Sequence, residues 1–225
     1  MDLDVERLLG AVERTVSSLE RDGQAARAVT LARSYATTVE DLWDAVTSAE
    51  RIPRWFLPVS GRLELGRRYQ LEGNAGGTIR RCERPSYLGL TWEFGGDVSW
   101  VEARLCNDGT GRSRLAITHT ALVSDHWHKF GAGAVGVGWE MGLLGMELHL
   151  TRPSEPKLDV ATFHTTRDGR ALIVGSSATY GGLLRGRHGG AGLMHTLDVL
   201  RDPEHCRAIV DALSVVGVYS SSQWR

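Results

Sequence analysis

Between residues 60 and 122 apolar side chains recur at every second position, and no other feature of the chain limits its fold so strongly. Leu63/Leu65, Tyr69/Leu71, Leu88/Leu90/Trp92/Phe94, Val101/Ala103/Leu105 and Leu115/Ile117/His119/Ala121 each alternate with polar residues. Successive Cβ atoms of a strand point to opposite sides, so a period of two is that of a strand with one buried face. The runs are separated by Leu65-Gly66, Asn74-Ala-Gly-Gly77, Arg84-Pro85-Ser86, Gly95-Gly96-Asp97 and Asn107-Asp-Gly-Thr-Gly111, all turn signals. Five or six short strands joined in this way predict an antiparallel meander, strongly curved, with one wet face.

Helical patterns flank the meander. Residues 130–150 are apolar, Gly-rich at their start, and long enough for a helix of about five turns. Upstream, Val29, Leu31, Arg33 and Tyr35 alternate through a strand over 28–36. Thr38 then precedes Asp41 by three residues, close to a capping box, and starts a short helix to Thr47. A second turn over 48–56 is broken by Pro53. This order predicts an α+β fold in which a bent sheet grips one long helix.

Both ends add to that unit. Val5, Leu8, Leu9, Val12, Val16 and Leu19 lie at helical spacing and predict an amphipathic helix over 3–20, ending at Asp22-Gly23. The long helix carries two apolar stripes, Val135/Trp139/Leu143/Met146/Leu150 and Val137/Met141/Leu144/Leu148, with Glu140 and Glu147 as its polar line. A helix apolar nearly all round is buried on more than one side. One stripe is expected to meet the sheet, and the N-terminal helix is expected to cover the other, in cis or across a dimer. Pro153-Ser-Glu-Pro156 ends the long helix, and residues 181–193 hold six glycines in thirteen positions, too many for a packed element. Asp202-Pro-Glu then suits the start of a short helix through Ile209, Val210 and Leu213. The organisation expected is 1–24 N-terminal helix, 25–152 central domain and 153–225 C-terminal extension, dispensable for the fold after Tyr180.

Composition excludes several functions. With 26 basic and 27 acidic residues the net charge is −1, so there is no general attraction to nucleic acid or to an anionic membrane. The longest apolar stretch, 132–150, carries Glu140, Glu147 and His149, which argues against a membrane span. The acidic opening Met-Asp-Leu-Asp-Val-Glu-Arg does not read as a secretory signal. Cys82, Cys106 and Cys206 are an odd number without metal spacing, which fits a reducing, cytoplasmic setting. Only Lys129 and Lys157 are lysines; the arginines are scattered, as codon bias rather than phosphate recognition would leave them.

Several segments in order resemble a known family. Leu31-Ala-Arg-Ser-Tyr35, Val39-Glu-Asp-Leu-Trp43-Asp-Ala-Val-Thr47 and Arg54-Trp-Phe56 resemble the opening of the START-like (Bet v 1-like, SRPBCC) superfamily. Within it the closest likeness is to the homologues of the activator of the heat-shock-protein-90 ATPase. Glu72-Gly-Asn-Ala-Gly-Gly77-Thr-Ile, Leu90-Thr-Trp92-Glu-Phe, Leu115-Ala-Ile-Thr-His119-Thr and Gly138-Trp139-Glu140 agree with it, and the resemblance spans 28–150. It implies a helix-grip fold, a curved antiparallel sheet wrapped around a long C-terminal helix, with a cavity between them. It also implies a stress-response setting, but carries no shared catalytic residues.

The chemistry-bearing residues point the same way. Trp92 and Trp139 fall on the sheet and the helix that face each other, and Trp43 and Trp55 join them as candidate cavity residues. Alternation puts His119 on the apolar face, where it is the candidate general base, with Arg33 and Glu140 as the other polar candidates. Asp125-His126-Trp127-His128 and His205-Cys206 lack a third metal ligand and read as surface loops, so no metal and no cofactor are expected. Asn74-Ala-Gly-Gly and the glycines after 180 lack the Gly-Lys-Ser/Thr of a phosphate loop. The leading function is binding of a small apolar or aromatic ligand without catalysis. Its alternatives are a co-chaperone-like or regulatory interaction domain, with a protein partner or as a homodimer, and an enzyme of polyketide cyclase/aromatase type. A cavity lined by convergent polar groups favours the enzyme; one filled by its own side chains favours the interaction role.

Overall fold

The computed structural model describes residues 3–185. In chain order the elements are α1 (Val5–Gly10), β1 (Glu13–Arg21), β2 (Gln24–Tyr35), α2 (Val39–Thr47), α3 (Ile52–Trp55), β3 (Val59–Gly61), β4 (Arg68–Leu71), β5 (Gly76–Glu83), β6 (Tyr87–Phe94), β7 (Asp97–Asn107), β8 (Ser113–Leu122), α4 (Asp125–Thr151), α5 (Val160–Phe163) and α6 (Arg167–Arg185). The strands form one antiparallel sheet in the order β1-β2-β8-β7-β6-β5-β4-β3. The expected α+β helix-grip fold is therefore present: the sheet is a meander from β3 to β8 that β2 and β1 extend at its far edge, and α4 lies across it. Register between β5 and β6 shifts between Ile79 and Arg81, an irregularity of the kind that bends a strand and adds to its twist.

The N-terminal segment is not one helix. Asp4 caps the six-residue α1, its Oδ1 accepting from the Arg7 N–H at 3.0 Å, and the chain then turns into β1. Two causes outweigh the helical spacing. Thr15, Val16, Ser17 and Ser18 are poor helix formers. Asp22-Gly23 has positive φ at both residues and joins Arg21 to Gln24 directly, the two-residue hairpin that Asp-Gly favours, rather than a helix end. The first 24 residues thus supply an edge strand to the central sheet.

Other differences are local. Pro53 does not break a helix; it sits in the first turn of α3, where its missing N–H has no intrahelical partner to lose. Leu63 and Leu65 lie in the loop after β3, and Leu65 is exposed. Gly76 and Gly77 are not turn residues but the start of β5, where a Cβ on Gly77 would stand 2.0 Å from the Thr91 carbonyl oxygen. Residues 125–128 are the first turn of α4, capped by Ser124, and not a loop. A kink at Gly131, with φ 63° and ψ −168°, then sets off the long straight part of α4.

The outer side of α4 is covered by α6, with α1 and β1 packed on α6 in turn, and not by an N-terminal helix. Leu172, Ile173, Ser176 and Tyr180 of α6 are buried there. Gly136 makes the approach feasible, since a Cβ on it would fall 2.1 Å from the Tyr180 ring. Gly181 and Gly182 continue α6, and Leu183 packs on the core, so ordered packing runs past Tyr180. The expected helix after Asp202, His205-Cys206 and the rest of the glycine-rich stretch lie outside the described residues.

Candidate functional site

The face of α4 turned to the sheet does not meet it everywhere. A cleft of about 350 Å³ opens between α4, α2–α3 and the inner face of strands β4 to β8. Period two places Leu88, Leu90 and Trp92 of β6, Val101 and Ala103 of β7, and Leu115 and Ile117 of β8 on that face. Trp139 is supplied by α4, Trp43 by α2, and Trp55 and Phe56 by α3 and the residue after it. All four tryptophans expected at a cavity thus line this one.

Two features of the sequence hold the aromatic wall in place. Gly145 lets α3 lie against α4, because a Cβ there would stand 2.3 Å from the Trp55 carbonyl oxygen. Trp55 Nε1 donates to the Ala45 carbonyl at 2.9 Å, tying α3 to α2. The result is a row of rings. Trp55 stacks on Phe56 with centroids 5.3 Å apart, Phe56 on Trp139 at 5.9 Å and 11°, and Trp139 meets Trp92 at 5.3 Å, tilted by 58°. Such contacts add to the area that aromatic side chains bury.

His119 stands behind this wall rather than in the cleft lining. Trp139 Nε1 donates to its Nδ1 at 3.1 Å, so the ring proton belongs on Nε2. Nε2 then donates to Ser99 Oγ at 2.8 Å, and Ser99 Oγ donates to the Trp92 carbonyl at 3.1 Å. Burial pushes the imidazole pKa from 6.5 down to about 4. At neutral pH His119 is uncharged with both ring nitrogens committed, which fixes Trp139 to β6 and leaves no lone pair for a general base.

The other polar candidates lie elsewhere. Glu140 faces away from the cleft: it receives Arg14 Nε and Nη2 at 2.7 and 2.8 Å and Ser176 Oγ at 2.8 Å. Arg33 pairs with Glu147 at 3.1 Å, and Arg7 lies 3.7 Å from the same carboxylate. The narrow polar line of α4 is thus matched to arginines of α1, β1 and β2, and His119, Arg33 and Glu140 do not converge. Residues not named as cavity candidates complete the cleft: Phe56 and Tyr69 in the wall, and the exposed Cys82 and Arg84. Tyr69 lies in the recognised alternation, but a hydroxyl held by the Thr91 carbonyl at 2.8 Å has no sequence signature. Among the described residues no three His, Cys, Asp or Glu side chains come together as a metal would need, and no helix is long and apolar enough to cross a membrane.

A curved antiparallel sheet, a long helix laid across it and an apolar cleft between them define a START-like protein. Within that class the chain belongs to the family described as Activator of Hsp90 ATPase homolog 1-like protein, which it matches over residues 36–150. Among solved structures it is similar to CalU16 from Micromonospora echinospora. The solution structure of CalU16 aligns at 29% identity over 79% of this chain and 97% of that one, with a TM-score of 0.66. Its crystal structure gives 28% identity over 77% and 98%, with a TM-score of 0.64. The fold is shared with EF2215 from Enterococcus faecalis, at 14% identity, 80% and 95% coverage and a TM-score of 0.56. It is shared too with DynU16, a protein of the dynemicin biosynthetic locus, at 18% identity, 59% and 50% coverage and a TM-score of 0.50. No curated protein sequence matches the chain.

Proposed function

We propose that the cleft binds a small apolar, aromatic ligand and that the protein is a carrier or sensor of that ligand rather than an enzyme. The observation that carries this reading is an unfilled space of about 350 Å³ walled by Trp55, Phe56, Trp92 and Trp139. That size lies within the range of small-molecule sites, roughly 300–1,000 Å³. An interaction domain has no need of a hollow interior, and its core would be expected to close on itself. A cyclase or aromatase needs polar groups converging on the ligand, and the three candidates for that work are spent elsewhere: one on Trp139 and Ser99, two on arginine–glutamate pairs.

Titration with 1-anilinonaphthalene-8-sulfonate tests the reading. The dye is expected to brighten saturably at one equivalent, and Trp139→Ala to weaken binding by about tenfold, the worth of roughly 1.4 kcal/mol of lost contact. Absence of saturable binding, or binding indifferent to Trp139→Ala, contradicts it.

A further inference from the structure

The cleft is not the same from its deep end to its mouth. Deep in it Trp92, Leu115, Ile117 and Trp139 are each no more than 4% exposed. At its mouth the lining residues Cys82 and Arg84 reach the surface. Cys82 pairs with Leu88 across β5 and β6, and both line the cleft. Arg84 follows two residues on, in the turn that the Ser86 N–H closes on the Glu83 carbonyl at 2.7 Å. Among the described residues along the cleft Arg84 is the one with a charge, and no Asp or Glu lies with it there. Other donors of the lining are committed within the protein. Thr47 Oγ1 donates to the Trp43 carbonyl, the Tyr69 hydroxyl to that of Thr91, and the Trp55 and Trp139 indoles to Ala45 and His119.

Arginines on the outer face of the sheet are placed differently. Arg68, Arg104 and Arg114 lie against Glu93, Glu102 and Glu13, at 2.8, 3.2 and 2.7 Å. Arg84 has no such carboxylate among the described residues. We infer that the ligand of this cleft is an aromatic acid, its rings at the deep end and its single anionic group at the mouth against the Arg84 guanidinium. The inference rests on the cleft being a ligand site and adds which end of the ligand lies where. An apolar wall accepts a planar body in either direction, and one polar group at a set place fixes its orientation. An anion carried to the deep end would lose its water and gain no partner. At the mouth it keeps part of its water and meets a planar fork of N–H donors that matches two of its oxygens.

1-Anilinonaphthalene-8-sulfonate and N-phenyl-1-naphthylamine share one aromatic frame and differ by a single sulfonate, so the ratio of their affinities reads the cation. Arg84→Gln, at an exposed position, is expected to weaken the sulfonate dye about fivefold, as for a partly solvated charge pair, and to leave the uncharged dye within about twofold. Arg84→Glu should weaken the sulfonate dye further and again spare the uncharged one. In the native chain, raising salt from about 0.01 M to about 1 M shortens the screening length from about 30 Å to about 3 Å. The sulfonate dye should then lose affinity relative to its uncharged parent. A sulfonate dye indifferent to Arg84→Gln and Arg84→Glu, equal losses for both dyes, or a ratio unmoved by salt overturns the role of Arg84 and leaves the ligand site standing. Binding of neither dye removes the ligand site, and the inference with it.

Discussion

Helix α4 has two buried faces, and they are built in opposite ways. Toward α6 it is packed without slack: Gly136 receives the Tyr180 ring, and the Arg14–Glu140 pair, closed by Ser176, fills the polar gap. Toward the sheet it presents Trp139 to other large rings, stacked on Phe56 and tilted against Trp92, with open space beside them. On the first face a glycine admits a ring and the contact closes; on the second the rings of Trp55, Phe56, Trp92 and Trp139 wall a cleft. The same helix therefore has a side that holds the protein together and a side that leaves room for something else.

Breaking the closed face should have the largest effect. Glu140→Ala leaves Arg14, whose side chain is 7% exposed, as a buried cation without its carboxylate. Removing one member of such a pair costs about 3–5 kcal/mol, and a melting temperature lower by roughly 10 °C is the expected reading. Dye binding by the folded variant at low temperature should stay close to that of the parent. A variant that melts like the parent would show that the pair does not hold this face.

Acid should act through the other face. His119 titrates near 4 in the folded protein against 6.5 when free, so between these values the unfolded chain binds more protons. Stability is then full above about pH 6.5 and falls as the pH drops toward 4, by about 3 kcal/mol in all. His119→Asn should flatten that dependence, measured as the difference between the two proteins' unfolding curves from pH 7 to pH 4. An unchanged slope in the variant contradicts the buried, neutral imidazole.

Two alanine substitutions along α4 sharpen the contrast further. Gly136→Ala drives a methyl to 2.1 Å from the fully buried Tyr180 ring and should lose about 1–3 kcal/mol by chemical denaturation. Gly142→Ala, whose methyl would meet Phe56 at 3.5 Å, is ordinary contact, and there alanine's helix preference should gain up to about 1 kcal/mol. If both substitutions act alike, close approach to α6 does not set the requirement for glycine.

The sheet and the long helix were legible because their signals are local and periodic. Leu88, Leu90 and Trp92 alternate, and Thr38 caps α2, its Oγ1 accepting from the Asp41 N–H at 3.2 Å. The four tryptophans were candidates for a cavity because the family resemblance implied one; bulk by itself would have put them in the core. Reading failed where a local signal has two meanings. Asp22-Gly23 ends helices as well as closing hairpins, and the pairing of β1 with β2 decided between them. Alternation correctly puts His119 on the inner face but is silent on its partners, and the bond from Trp139 twenty residues later turned a candidate base into a brace. Glu140 looked like a cavity acid only because its arginine lies 126 residues upstream, beyond the reach of any helical or strand period.

A crystal structure under xenon pressure reads both faces of α4 at once, since xenon enters apolar voids and is excluded from close-packed interfaces. The account predicts xenon in the cleft beside Trp139, Leu90 and Ile117, and none between Gly136 and Tyr180. An empty cleft, or xenon lodged between α4 and α6, would contradict it.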